Sequence, residues 1–379
     1  MKMLYISPWD MNPNGRFNGS AKKTRTFISE FNKVGIDTHL YNNYKVCEVE
    51  SLNKIIARLP YTCVFNKLIY THELDGYNVY YIRFLGSDYP FLRFIKLLRK
   101  NNLNSKIILE FPDIDYMSHF EMNIRNIPFY LKDKFFSKKV HKYIDRTVVM
   151  GNVESYHNIP CINIYNGIDV KSVKMRRVKK DVKSCIHFGI VASIQPVHGI
   201  DIFINSIQSY YKSGGKRNLV FDIVGGGTEE KKLIKLVNLL GLNKRVVFHG
   251  FKFDEELESL YDVIDIGICE LAPERRNYSL SSSLKSREYL AKGLPIIASV
   301  DIDIFNDKPF DYFLKLNSNN SLIDIRKCID FYDSIYVNNE EAIKVATDIR
   351  KFAIDNIDMS EVIKPILNYI FKNKEDSLI

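Results

Sequence analysis

Between Cys185 and Cys269, four short apolar runs alternate with three amphipathic stretches. The runs are Cys185–Ile190, Leu219–Val224, Arg245–His249 and Ile264–Cys269. The stretches are Ile200–Tyr211, Glu229–Leu240 and Asp254–Val263. A strand written as one unbroken apolar run must be covered on both faces, and the intervening helix supplies both the cover and the crossover to a parallel neighbour. In the first stretch Phe203, Ile204, Ile207 and Tyr211 recur at helical spacing. The first half repeats the pattern more loosely. Strands are expected at Met3–Ser7, Thr38–Tyr41, Asn78–Phe84, Lys106–Glu110 and Arg146–Met150, and helices at Ala21–Val34, Phe91–Arg99 and Phe129–Tyr143. Two such sets predict an α/β chain of two doubly wound, Rossmann-like domains facing across a cleft. Ligands are then expected at the carboxyl ends of the strands. Residues 44–75 carry no assignable pattern. Beyond residue 300, Glu341–Asn356 and Ser360–Asn373 read as helices.

At 379 residues the chain is long enough for two domains. Lys and Arg total 54 against 45 Asp and Glu, a formal +9 that suits an anionic substrate or an anionic membrane surface. Nucleic acid is not expected, because neither a zinc-finger spacing nor an aromatic ribonucleoprotein motif occurs. The basic cluster Lys174–Lys180 reads as a solvated connector. Cys47, Cys63, Cys161, Cys185, Cys269 and Cys328 form no Cys-x-x-Cys pair and read as reduced core residues of a cytoplasmic protein. The N-terminus reads directly as a strand, without a leader. No run approaches the roughly 20 apolar residues of a membrane span. Membrane contact is therefore expected to be peripheral, at the inner face, with the aromatic-rich segment Tyr77–Phe94 as the candidate surface.

The richest segment for chemistry is Ser281–Ser299. Serines 281–283 are good helix caps, Gly293 is a helix stop, and Leu294-Pro-Ile-Ile-Ala298 reads as a buried strand. Lys285 and Glu288 stand three apart and share a helix face. Free N–H groups and a cation at a helix start suit a phosphate; a carboxylate one turn later suits a sugar hydroxyl pair. The same residues also describe a capped surface helix with one ion pair.

Other candidates are weaker. Gly225-Gly-Gly227 follows a strand and opens a helix, where glycine admits close approach of a ligand or simply makes a tight turn. Asn18-Gly-Ser20 precedes the first helix with Lys22 and Lys23 nearby, as an anion contact or as an N-cap. His198 follows the first strand of the second domain, facing a phosphate or positioning its loop. Asp113, Asp115 and His119 follow Glu110-Phe-Pro112 at a strand's carboxyl end. Asp113-Ile-Asp115 and Asp301-Ile-Asp303 are Asp-x-Asp tripeptides, too common to argue for a metal. No dense ligand cluster occurs, so neither metal nor cofactor is expected.

In this order the motifs resemble a retaining glycosyltransferase of the GT-B type, close to the bacterial family 4 group that builds surface polysaccharides. The carriers are Asn166-Gly-Ile-Asp169, His198-Gly-Ile-Asp201, Ile223-Val-Gly-Gly-Gly227, Val247-Phe-His-Gly250 and Leu284-Lys-Ser-Arg-Glu-Tyr-Leu-Ala-Lys-Gly-Leu-Pro295. They cover roughly residues 160–300. The resemblance implies that Glu288 binds the nucleotide ribose and that Ser282, Ser283, Leu284 and Lys285 meet the diphosphate. Gly250 and Phe251 would frame the base, while Gly19, His198 and Gly225 would face the donor. It gives His119 and Lys285 catalytic roles. Two positions depart from the family. Leu280 stands where a glutamate contacts the donor sugar, and Ser193 and His198 fall where the family has an Arg and Lys pair. Lys285, Arg287, Arg275 and Arg276 are the candidates for the missing charge.

The implied function is transfer of a sugar, with retention, from a nucleotide-diphosphate donor to a saccharide or lipid-linked acceptor. The donor would be a UDP-sugar, and the setting bacterial capsule, cell-wall or lipopolysaccharide-type glycan synthesis. The implied domains are 1–165 (acceptor side), 166–345 (nucleotide-sugar binding) and 346–379 (helices crossing back), with Tyr165–Asp169 as hinge. A nucleotide-sugar epimerase and an inactive binding subunit are the alternatives.

Overall fold

The computed structural model describes residues 1–7, 19–42, 68–84, 86–111, 127–178, 184–277, 279–306, 308–317 and 319–372. The chain divides into two compact units: Met1–Tyr165 with Val362–Ile379, and Asn166–Glu361.

In the first unit the elements run β1 (Lys2–Ile6), α1 (Gly19–Lys33), β2 (Asp37–Tyr41), β3 (Val79–Arg83), α2 (Tyr89–Asn101), β4 (Lys106–Glu110), α3 (Ile127–Val140), β5 (Arg146–Met150), β6 (Ser155–Tyr156) and β7 (Ile159–Ile164). Their sheet order is β2-β1-β3-β4-β5-β7-β6. All pairings are parallel except the short β6–β7 ribbon. The chain moves one way from β1 to β2 and the other way from β3 through β5. Right-handed crossovers therefore put α1 on one face and α2 with α3 on the other. Strand alternation follows suit. Tyr5 and Tyr81 meet Phe27 of α1, with ring centroids 6.5 and 5.9 Å away. Leu4, Tyr80 and Ile82 join Phe91, Phe94 and Leu98 of α2 in the opposite core. The segment Tyr77–Phe94 thus spends most of its aromatics inside: Tyr80, Tyr81, Phe84, Phe91 and Phe94 are buried, so it does not form the exposed aromatic surface expected of it.

A terminal helix, Lys364–Phe371, belongs to this unit. Lys106 on β4 fastens it, with its Nζ donating to the carbonyls of Tyr369, Ile370 and Lys372 at 2.8, 2.9 and 2.6 Å. A cation there satisfies the orphan carbonyls and opposes the negative helix end. The helix Asn339–Ile357 lies in the second unit.

In the second unit the order is β8 (Ile186–Val191), α4 (Ile200–Lys212), β9 (Leu219–Val224), α5 (Glu230–Leu240), β10 (Val246–Gly250), α6 (Asp254–Val263), β11 (Ile266–Ile268), β12 (Leu280–Ser281), α7 (Leu284–Lys292), β13 (Ile296–Ala298), β14 (Asp301–Ile302), β15 (Phe313–Lys315), α8 (Ile325–Ile335) and α9 (Asn339–Ile357). The main sheet reads β10-β9-β8-β11-β13-β15 and is parallel throughout. Counted within the unit this is 3-2-1-4-5-6, the Rossmann order, with its topological switch between β8 and β11. Gly267 on β11 decides how α7 sits there: a Cβ would fall 2.4 Å from the Tyr289 ring. With no side chain in the way, Tyr289 lies on the sheet and its hydroxyl accepts the Val191 N–H at 2.9 Å.

The connector expected to be solvated is partly core. Arg176 is buried, and its guanidinium donates to the Tyr336 hydroxyl at 2.8 Å and to the carbonyls of Gly293 and Ile264. Asn166-Gly-Ile-Asp169 begins the second unit and is preceded by β7. It is tied down by Ile168–Asp358 bridging and by the Val170 N–H bond to the Asp358 carboxylate at 3.1 Å.

Candidate functional site

Glu270 and His198 flank the switch point of the second unit, one leaving β11 and the other in the turn after β8. Glu270 is buried, with one carboxylate oxygen 3.1 Å from the Lys285 Nζ and the other accepting the Ser281 hydroxyl at 3.2 Å. Burial pushes the Glu270 carboxyl up, but the Lys285 ammonium outweighs it and holds the group below the usual range. Lys285 is paired with Glu270, and among the described residues no other acceptor takes its ammonium. Glu270 was not singled out in the sequence. Its only signal is a charged residue directly after a buried strand at the carboxyl edge of the sheet.

His198 closes the turn Pro196–His198, and Gly199 follows in the left-handed region at φ 60°. The imidazole Nδ1 accepts the Gln195 N–H at 3.2 Å, which leaves Nε2 as the donor of the neutral ring. Burial lowers its pKa to about 3, with Lys285 and Arg276 adding to the shift and Glu270 opposing it. The turn is stitched to the loop after β11: Leu271 N–H bonds the His198 carbonyl at 3.3 Å, and Ala272 N–H the Val197 carbonyl at 3.1 Å. Asp201 in the first turn of α4 takes a two-pronged bond from Arg275 at 2.7 and 2.9 Å. Arg275 therefore holds a loop, and it drops out as the source of the missing charge.

Arg287 drops out for the same reason. It is fully buried, donating to the Asn166 carbonyl at 2.8 Å, to the hydroxyls of Ser286 and Ser282, and to Asp303. Asn166 returns a bond to the Ser282 carbonyl at 3.1 Å. This clamp fixes the loop before α7. Asp303 is thus a structural partner, and Asp301 pairs with Lys315 at 2.6 Å.

The N-terminus of α7 is open. Ser283 is the N-cap residue but makes no side-chain capping bond, and its buried hydroxyl has no hydrogen-bond partner among the described residues. The serines expected to cap the helix therefore leave its first N–H groups available, beside Lys285. Leu284 is exposed in this turn. Glu288, one turn on, is half-buried, and it helps burial push up the Tyr261 phenol. Gly293 ends α7 at φ 76°. Leu280 lies on β12 and is 41% exposed.

The glycine turn sits on the β9 side of the switch. Gly225 has φ +116°, and a Cβ would fall 2.1 Å from the Ala192 carbonyl oxygen, so only glycine fits. The ring of Phe251 packs over Gly226, where a Cβ would meet it at 2.7 Å. Phe251 is otherwise 68% exposed, a bare aromatic face beside the turn. Gly250 precedes it at φ +66°.

The first unit holds a second buried ionic group. Glu110 lies 3.3 Å from Lys23 and 3.5 Å from Arg83, all three buried. Arg83 also donates to the Thr24 hydroxyl at 3.2 Å. Burial raises the Glu110 carboxyl, but Arg83 and then Lys23 hold it low; burial in turn lowers Lys23. Lys23 is therefore spent in an internal pair. Gly19 is the first residue of α1. Asp113, Asp115 and His119 lie outside the described residues.

Residues 185–308 match the family model described as Glycosyl transferases group 1. No curated protein matches the chain in sequence. Among solved structures, sucrose-phosphate synthase from Thermosynechococcus elongatus is similar at TM-score 0.62 and 12% identity, covering 97% of this chain and 98% of that one. The Anabaena protein Alr3699/HepE in complex with UDP is similar at 0.57 and 15%, covering 98% and 99%. A glycosyltransferase from Rickettsia africae ESF-5 is similar at 0.57 and 13%, also covering 98% and 99%. These likenesses establish the fold.

Proposed function

We propose that the chain, whose residues 185–308 match the group 1 glycosyltransferase model, is a transferase of that type on the GT-B fold and moves a hexosyl group from a UDP-sugar to a saccharide or lipid-linked acceptor, with retention. The observation that carries this reading is the uncapped start of α7 with Lys285 beside it, held there by Glu270. A diphosphate set there would receive backbone N–H groups, the positive helix end and one ammonium. The His198 Nε2–H adds a neutral donor across the switch point. The Phe251 face offers a surface for the base, and Glu288 an acceptor for ribose hydroxyls. The UDP held by the Anabaena relative supports the choice of base.

In this reading the same groups stabilise the leaving diphosphate as the glycosidic bond breaks, where negative charge develops. Retention requires the acceptor hydroxyl to approach on the face the diphosphate leaves, so the protein contributes positioning and charge. Leaving-group stabilisation is assigned to Lys285 and α7, and turnover is expected to survive chelation of divalent metal. Bacterial capsule, cell-wall or lipopolysaccharide-type glycan synthesis is the proposed setting. Among the described residues no helix is long and apolar enough to cross a membrane.

A panel of nucleoside diphosphates by calorimetry, then nucleotide sugars with acceptors, tests the reading. Binding of UDP and release of UDP on acceptor addition support it; no binding by any nucleotide removes it. One observation favours an inactive binding subunit instead: Glu270 occupies Lys285, and Leu280 offers no carboxylate. UDP binding without turnover, whatever the acceptor, is the outcome that reading expects.

A further inference from the structure

The solvent face of α3 is not polar. Ile127, Tyr130, Leu131 and Phe135 are 47, 38, 58 and 55% exposed. They recur at three- and four-residue spacing, so they form one stripe. Lys134, Lys138 and Lys139, all exposed, continue the stripe along the helix, and Lys142 follows beyond it. Two of the ammoniums lie over these rings: Lys139 Nζ is 4.1 Å from the Phe135 centroid and Lys134 Nζ 5.9 Å from that of Tyr130.

The neighbouring helix extends the charge. α2 lies on the same side of the sheet and packs against α3 through Tyr89 and Phe136, centroids 6.2 Å apart. It exposes Arg93, Lys96 and Lys100. The acids of residues 86–104 and 127–144 are Asp88 and Asp133, and both are buried. Asp88 caps α2, accepting the Phe91 N–H at 2.8 Å, and Asp133 accepts the Ser87 N–H. The helix pair therefore shows cations and large apolar groups to solvent with no exposed carboxylate among them.

From this we infer that the α2–α3 face of the first unit docks on an anionic lipid bilayer. A helix lying in the interface buries its apolar groups below the headgroups while lysines stay among the phosphates. The four exposed apolar residues at the start of α3 supply the first part, and the lysines of its end with those of α2 the second. Charge decides the occupant: a second copy of this face would repel, and a neutral surface would leave the cations unmatched. The inference rests on the proposed function only for its purpose, bringing the enzyme to lipid-linked acceptors; the surface itself stands on the first unit alone.

Flotation of the full chain with vesicles tests it. The chain should float with phosphatidylcholine vesicles containing phosphatidylglycerol, stay behind with pure phosphatidylcholine, and release as salt rises. Two variants report separately: Lys134→Gln/Lys138→Gln/Lys139→Gln removes charge while keeping good helix formers, and Leu131→Ser/Phe135→Ser removes apolar surface. Each should weaken vesicle binding by about tenfold or more with melting temperature and UDP affinity unchanged. The inference is overturned by a chain that ignores anionic vesicles, by variants that bind them as the parent does, or by a Phe135-dependent self-association in place of vesicle binding. Loss of UDP binding with flotation intact would instead remove the donor reading and leave this one standing.

Discussion

The Lys285 ammonium sits 3.1 Å from the buried Glu270 carboxylate, so the cation best placed to meet a diphosphate already has an internal partner. A ligand entering there competes with Glu270, and the two residues cannot be exchanged independently. Lys285→Met alone leaves a buried carboxylate unpaired and should cost about 3–5 kcal/mol of stability. Lys285→Met/Glu270→Gln removes both charges and should recover most of that loss. Urea unfolding of the two variants and the parent checks the ordering; a double variant no more stable than Lys285→Met contradicts the pairing.

Glu288→Ala should weaken UDP binding by about 1.5–3 kcal/mol, the range for a hydrogen bond to a charged group. Calorimetry with UDP and with inorganic pyrophosphate separates the role. UDP should lose affinity and pyrophosphate should not, because the carboxylate is assigned to ribose. Equal losses would place Glu288 at the diphosphate.

His198 gives a pH dependence of defined sign. Its folded pKa, about 3, lies below the ordinary value of 6.5. The unfolded chain therefore binds a proton the folded chain refuses between those values. The stability from the neutral ring is present above pH 6.5 and is lost as pH falls toward 3. His198→Gln should flatten the melting temperature over that range relative to the parent. Parallel curves would show that His198 does not carry the difference.

In the first unit the order of damage is set by what each change strands. Glu110→Gln leaves Lys23 and Arg83 buried without their shared anion, at a cost of about 3–5 kcal/mol. Lys23→Met leaves Glu110 still paired with Arg83 and should cost less. Thermal unfolding checks the order; the reverse order would mean that Arg83 does not hold the carboxylate.

Backbone patterns of the second unit were readable because each buried strand is an unbroken apolar run and each helix has one apolar stripe. β8, β9 and α4 fall where the runs and Phe203, Ile204 and Ile207 put them. Gly293 stops α7 as expected. The helix Ile325–Ile335 and the strand Ile159–Ile164 were missed. The strand includes Pro160 and Asn163, which break its apolar signature, and it lies beside the ribbon strand Ser155–Tyr156. What the sequence could not show was which charges are spent. Arg275, Arg287 and Lys23 look available in a linear reading. Only their partners Asp201, Asp303 and Glu110, brought from 74, 16 and 87 residues away, reveal otherwise. The stripe on α3 was hidden for a related reason: a helix with apolar residues on both faces has no obvious outside until its neighbours are placed.

The most direct test of the donor site is UDP calorimetry on the parent and on Lys285→Met/Glu270→Gln. The parent should bind UDP, and the folded double variant should bind it at least about tenfold more weakly, because the ammonium that meets the diphosphate is gone. A folded double variant that binds UDP as tightly as the parent would contradict the assignment of the diphosphate to Lys285 and the start of α7.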